Sequence, residues 1–166
     1  PLQQEVAAIS PRFALVMYGT NDIGWGNIFA YANNMLDIAD ELVGAGVIPI
    51  LSSIPPRDDS VSADAQVPRY NAVVRGIAQG LQIPFVDYHA ELLPLPDHGL
   101  GADKLHPSSY VSSGVKPCVF TAAGLRHGYN VRNLLAMEAL HRAKEVVVDG
   151  AVAPDPPGAA LKGDGS

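Results

Sequence analysis

An imidazole, a carboxylate and a side-chain amide stand out in this chain for the residues beside them. Asp103 and His106 lie three residues apart in Asp103-Lys-Leu-His-Pro107, and Asn21 lies in Gly19-Thr-Asn-Asp22. Histidine as a residue type titrates near neutrality, so it can take a proton from a hydroxyl and return it to a leaving alcohol. A carboxylate at the opposite ring nitrogen fixes the tautomer, and an Asp three residues before the His can reach it within one turn-like loop. Pro107 stiffens the backbone just after the ring. A side-chain amide aimed at a developing oxyanion lowers a barrier by about 3–4 kcal/mol. Each motif also has an ordinary reading, since Gly-Thr-Asn-Asp after a strand is common turn chemistry and Asp-x-x-His-Pro fits a surface loop.

These residues need elements to hold them. Phe13-Ala-Leu-Val-Met-Tyr18 is an apolar run without polar alternation, which suits a strand buried on both faces of a parallel sheet and ending at Gly19. Ligands in such sheets bind beyond the carboxyl ends of the strands, where Asn21 and Asp22 would stand. A helix end over Glu5 to Ile9 precedes it. From Asn27 to about Val43, Ile28, Tyr31, Met35, Ile38, Ala39 and Leu42 recur at three- and four-residue steps, predicting a helix with one buried stripe. A second strand follows over Val47 to Ser53, then a polar loop from Asp58 to Gln66. A helix begins near Pro68, with Tyr70 and Asn71 at its buried start, and a short strand over Pro84 to Asp87 comes next. Residues 97–118 are irregular and hold His98, Asp103 and His106; a loop of that length is commonly functional. Thr121 or Asn130 can cap a last helix, which ends before Gly150. Strand, helix, strand, helix, strand, long loop, helix predicts a parallel α/β sheet with right-handed crossovers.

Composition narrows the partners. The chain has 166 residues, 48% of them hydrophobic, enough for one domain with a core. A net charge of -6 without a Lys/Arg cluster argues against a nucleic-acid or anionic-membrane surface. No apolar run approaches the ~20 residues of a membrane span. Cys118 is the single cysteine; it cannot form an internal disulfide, and the expectation is a small core residue. Residues 151–166, rich in proline and glycine, read as a linker or disordered tail.

The two motifs and the order of strands and helices, from about residue 12 to 148, resemble the SGNH hydrolases, also called the GDSL esterase/lipase family. That resemblance implies a three-layer, flavodoxin-like sheet, with residues 1–150 as the carboxyl-terminal portion of the domain and only its later strands present. It implies that Asn21 donates to an oxyanion hole, that His106 is the general base and Asp103 its orienting acid, and that Gly19 and Asp22 support the loop. In the family the nucleophile is a serine in a Gly-Asp-Ser block on the first strand, and a glycine of a second block also belongs to the site. No serine of this chain has that context. Ser52 and Ser53 end an inner strand without a glycine-flanked turn, Ser108, Ser109, Ser112 and Ser113 read as loop hydroxyls, and Gly163-Asp-Gly-Ser166 has no strand before it. The chain also opens without a methionine, so the expectation is an N-terminal segment carrying the serine block and the second glycine upstream of residue 1.

The function implied is hydrolysis of a small-molecule, carbohydrate or lipid ester through a serine acyl-enzyme, with no metal or organic cofactor. Trp25 is a candidate for lining the substrate pocket. The family favours a secreted or periplasmic compartment. Two alternatives are an inactive binding module of the same fold, and a metal-assisted hydrolase built from Asp87, His89, Asp97, His98, Asp103 and His106, whose spacings match no closed zinc pattern. Arg57, after two prolines, reads as a solvated surface arginine, and His127 and His141 as surface or capping residues.

Overall fold

The structure is a computed structural model and describes residues 2–151. The expected linker or tail therefore lies, apart from Ala151, outside the described residues. Helix α1 (Leu2–Ile9) leads into strand β1 (Phe13–Val16), and the short α2 (Asp22–Trp25) is followed by the long α3 (Ile28–Gly44). Next come β2 (Ile48–Ser52), the short α4 (Val61–Asp64), α5 (Val67–Leu81), β3 (Phe85–Val86), α6 (Tyr88–Leu92) and finally α7 (Gly128–Val147).

The strands form one parallel sheet in the order β1-β2-β3, with Phe13 level with Ile48 and Leu51 level with Phe85. Parallel pairing requires crossovers, and α3 and α5 provide them. Successive side chains of β2 point to opposite faces. Leu51 packs with Tyr31, Met35 and Val74 of α3 and α5, while Ile50 packs on the other face with Ala139 and Ala143 of α7. Two helical layers thus enclose the sheet, and each fully buried aliphatic side chain in it contributes about 1.5–3 kcal/mol. Pro49 is tolerated in this central strand because odd-numbered amides of β2 face β3. Leu51 and Ser53 donate to Pro84 and Val86, so position 49 lies ahead of the stretch where β2 and β3 pair.

Several expectations change. β1 is not buried on both faces: it pairs only with β2, Leu15 is half-exposed, and the other edge has no strand among the described residues. A cleft of about 320 Å³ opens beside it, between Leu15 of β1, Met17 and Tyr18 just after it, and Leu135 of α7. Neither Thr121 nor Asn130 caps α7. His127 occupies the N-cap position, Thr121 accepts from Gly124 N–H before a 3-10 turn, and Asn130 is buried inside the helix, donating to the carbonyls of Lys116 and Val119. It therefore holds the irregular segment against the helix. Cys118 is exposed rather than a core residue, because that segment runs over the surface. The polar loop after β2 contains α4, started by Ser60, whose hydroxyl accepts from Ala63 N–H.

Candidate active site

The Asp103 to His106 turn builds itself. One carboxylate oxygen of Asp103 accepts from the backbone N–H groups of Leu105 (3.1 Å) and His106 (3.0 Å), the local geometry that lets Asp mimic a backbone turn. The other oxygen is thereby aimed at the imidazole and lies 2.7 Å from His106 Nδ1. The His106 bond, helped by the two backbone donors, lowers the Asp103 carboxyl to about 2. An anionic Asp103 faces a protonated Nδ1, which leaves Nε2 as the free basic nitrogen. Both side chains stand in solvent, 70% exposed for His106 and 53% for Asp103.

The turn is anchored at both ends. Gly101 N–H donates to the His106 carbonyl at 2.7 Å, and Leu100 bridges Pro107. Ser108 donates through its hydroxyl to the Gly99 carbonyl, and its own oxygen accepts from Gly128 N–H at the first turn of α7. Gly128 permits this contact, since a Cβ there would lie 2.4 Å from the Gly99 oxygen. The Tyr88 hydroxyl donates to the Gly128 carbonyl from the buried interior. The turn is thus fastened to the start of α7 and, through it, to α6.

The second motif follows β1 at its carboxyl end. Gly19 is buried with φ +130, and a Cβ there would meet the Tyr31 hydroxyl at 2.9 Å. That hydroxyl donates to the Tyr18 carbonyl at 2.9 Å, clamping the end of β1 to α3. Burial, with the nearby Asp22 carboxylate adding to it, pushes the Tyr31 hydroxyl well above its ordinary pKa. Asn21 precedes α2, makes no side-chain cap, and its carboxamide has no hydrogen-bond partner among the described residues. It is exposed and free to donate. Asp22 holds the loop through its carbonyl, which accepts from Gly26 N–H and the Tyr70 hydroxyl, rather than through its carboxylate. Trp25 ends α2 and is 81% exposed.

Sequence reasoning missed Arg57. Its side chain is only 13% exposed and bonds bidentately to Asp59, at 2.7 and 2.9 Å, while a third nitrogen donates to the Thr20 carbonyl at 2.5 Å. Asp59 N–H donates in turn to the Lys104 carbonyl at 3.0 Å, inside the Asp103 to His106 turn. The two motifs, more than eighty positions apart in the chain, are therefore joined through one arginine. The Pro55-Pro56 pair before Arg57 was the available signal, because it fixes the direction in which the next side chain leaves the strand end.

The other candidates are held in separate places. Among the described residues, no group of three or more His, Cys, Asp or Glu side chains gathers as a metal site would require. His98 pairs with Asp58 at 2.9 Å, and Asp87 receives Arg75 and the Ser53 hydroxyl. Ser53 is fully buried, and its oxygen accepts from His89 N–H at 2.8 Å. His141 is exposed beside Glu145.

The fold is shared with known structures. A GDSL-like lipase from Bacteroides thetaiotaomicron is 23% identical with a TM-score of 0.63, over 86% of this chain and 68% of that one. An acetylxylan esterase from Geobacillus stearothermophilus, in a catalytic mutant form, is 18% identical with a TM-score of 0.62, over 83% of this chain and 63% of that one. The chain thus spans about two thirds of the length of these structures. No curated protein matches it. The sequence pattern described as the GDSL-like Lipase/Acylhydrolase family matches residues 1–110, a stretch that contains all three strands, Asn21, Asp103 and His106, and the chain belongs to that family.

Proposed function

We propose that the complete protein is a carboxylic ester hydrolase acting through a serine acyl-enzyme, with this chain supplying the oxyanion donor Asn21 and the Asp103 and His106 pair, and an upstream segment supplying the serine and a second-block glycine. The observation that carries the reading is the 2.7 Å contact between Asp103 and His106 Nδ1 in a self-built turn, tied by hydrogen bonds to the loop that holds an unpartnered Asn21. In the proposed reaction His106 Nε2 takes the proton of a serine hydroxyl as its oxygen attacks the ester carbonyl. The carbonyl becomes an oxyanion that accepts from the Asn21 amide. Collapse expels the alcohol, which receives the proton from His106, and water then releases the acid by the same sequence. Asp103 stays ionised throughout and holds the imidazolium.

The serine belongs, on this reading, to a Gly-Asp-Ser block in an upstream segment of the same protein. The unpaired edge of β1 and the adjoining cleft support it, since a strand laid there would end beside Gly19. Trp25, exposed next to the loop, would line the acyl or sugar side of the substrate. The substrate class is a small-molecule, carbohydrate or lipid ester.

The test is a fluorophosphonate probe on the complete protein with intact-mass readout, paired with the turnover of His106→Ala. A single label on a serine outside this chain and a fall in turnover of roughly 10⁴- to 10⁶-fold are expected, as when a triad base is removed. An unlabelled protein would favour the binding-module reading, and unchanged turnover in His106→Ala would remove the site assignment.

A further inference from the structure

We infer that Arg57 is a positioning residue that sets the oxyanion loop and the acid–base turn against each other; this rests on the ester-hydrolase reading. All three donating nitrogens of its fork are used. Two hold Asp59, and the third holds the carbonyl of Thr20, the residue before Asn21. Asp59 then grips Lys104 through its backbone amide, one residue from Asp103 and two from His106.

The mount is as stiff as the clamp. Ile54, two residues after β2, has both its N–H and its carbonyl bonded to the buried side chain of Asn71, at 2.8 and 3.3 Å. Pro55 and Pro56 are buried, and their fixed φ leaves little freedom before Arg57. The Arg57 N–H is itself held by Asp64 at 2.9 Å. Next in the chain, Asp58 pairs with His98, which adds a link to the segment leading into Gly101. An exposed ion pair would do little here, because two mobile side chains in water hold nothing in place. Arg57 instead sits mostly out of solvent between two loops that do not otherwise share a hydrogen bond among the described residues. Its planar fork has no equivalent in lysine, whose ammonium is a point charge on a flexible stem.

Misplacement by about 1 Å of a group that must meet the transition state can cost ~10²-fold in rate. The test measures p-nitrophenyl acetate hydrolysis by the complete enzyme for Arg57→Lys and Asp59→Asn, each in the parent and in an Asn21→Ala background. Arg57→Lys is expected to lower kcat by about 10- to 100-fold with KM within about threefold of the parent. In the Asn21→Ala background the same change should cost at least ~3-fold less, because one of the two groups it positions is gone. Asp59→Asn, which keeps its shape and loses its charge, should show a smaller loss with the same dependence on background, and carries the test if Arg57→Lys fails to fold. A kcat within about twofold of the parent for both variants, or equal losses in both backgrounds as a merely less stable protein would give, overturns the proposal. Failure of the underlying reading looks different: Asn21→Ala by itself would leave kcat unchanged.

Discussion

Gly19→Ala tests whether the end of β1 is held as the structure implies. The new Cβ would lie 2.9 Å from the Tyr31 hydroxyl, closer than real Cβ contacts, and 3.1 and 3.2 Å from two ring carbons, tighter than most. Tyr31 is buried in the core and cannot swing aside freely. The backbone at φ +130 adds strain for any residue with a Cβ, about 1–3 kcal/mol. Displacing the ring also loses its bond to the Tyr18 carbonyl, a further ~0.5–1.5 kcal/mol. We therefore expect a loss of about 2–4 kcal/mol in the unfolding free energy of the complete protein, read from urea titration by circular dichroism. The same glycine change made on Tyr31→Phe should cost ~1 kcal/mol less, since the hydroxyl and its bond are already absent. Turnover should fall as well, because Asn21 is two residues away and moves with the loop. A cost below about 0.5 kcal/mol, or the same cost with and without the hydroxyl, would refute the argument.

Two other outcomes follow from the packing and the charges. Asn71→Leu leaves both backbone groups of Ile54 without partners in the core, and should destabilise the protein by about 2–5 kcal/mol; a urea midpoint close to the parent's would show that water reaches Ile54. The Asp103 carboxyl should titrate near 2 by carbon NMR and move up toward the ordinary carboxylate range in His106→Ala, because the His106 bond is the largest cause of its lowering. Its folded-state value lies below its unfolded one, so its contribution to stability is complete above the ordinary carboxylate range and is lost as pH falls toward 2. An unmoved midpoint in the variant would mean that the backbone donors alone hold the carboxylate.

The elements most visible in the sequence are those set by local physics. The period-3.6 stripe of α3 buries Tyr31, Met35, Ala39 and Leu42 fully and Ile28 and Ile38 in part, all on the face their spacing predicts. Likewise α5 runs from Val67 with Pro68 in its first turn, and Tyr70 and Asn71 are buried at its start. The Asp103 and His106 contact belongs to the same class, since a carboxylate three residues before a ring needs only its own turn to reach it. What depends on distant partners was not legible. Leu15 lies in a run with the composition of a buried strand, yet it is half-exposed in the cleft beside α7, at the edge of the sheet. Asn130 reads as a helix cap, but two carbonyls from residues 116 and 119 draw it inside the helix. Arg57 reads as a solvated cation. Only the parallel sheet, by bringing the ends of β1 and β2 side by side, places the Thr20 carbonyl within reach of its guanidinium. Sequence alone therefore determined the strand and helix order and the self-contained Asp103 and His106 pair, because periodicity and short-range hydrogen bonds act between near neighbours. The join between that pair and the Asn21 loop was decided by tertiary structure, because the hydrogen bonds that occupy Arg57 and Asp59 run to Thr20 and Lys104, 37 and 45 positions away.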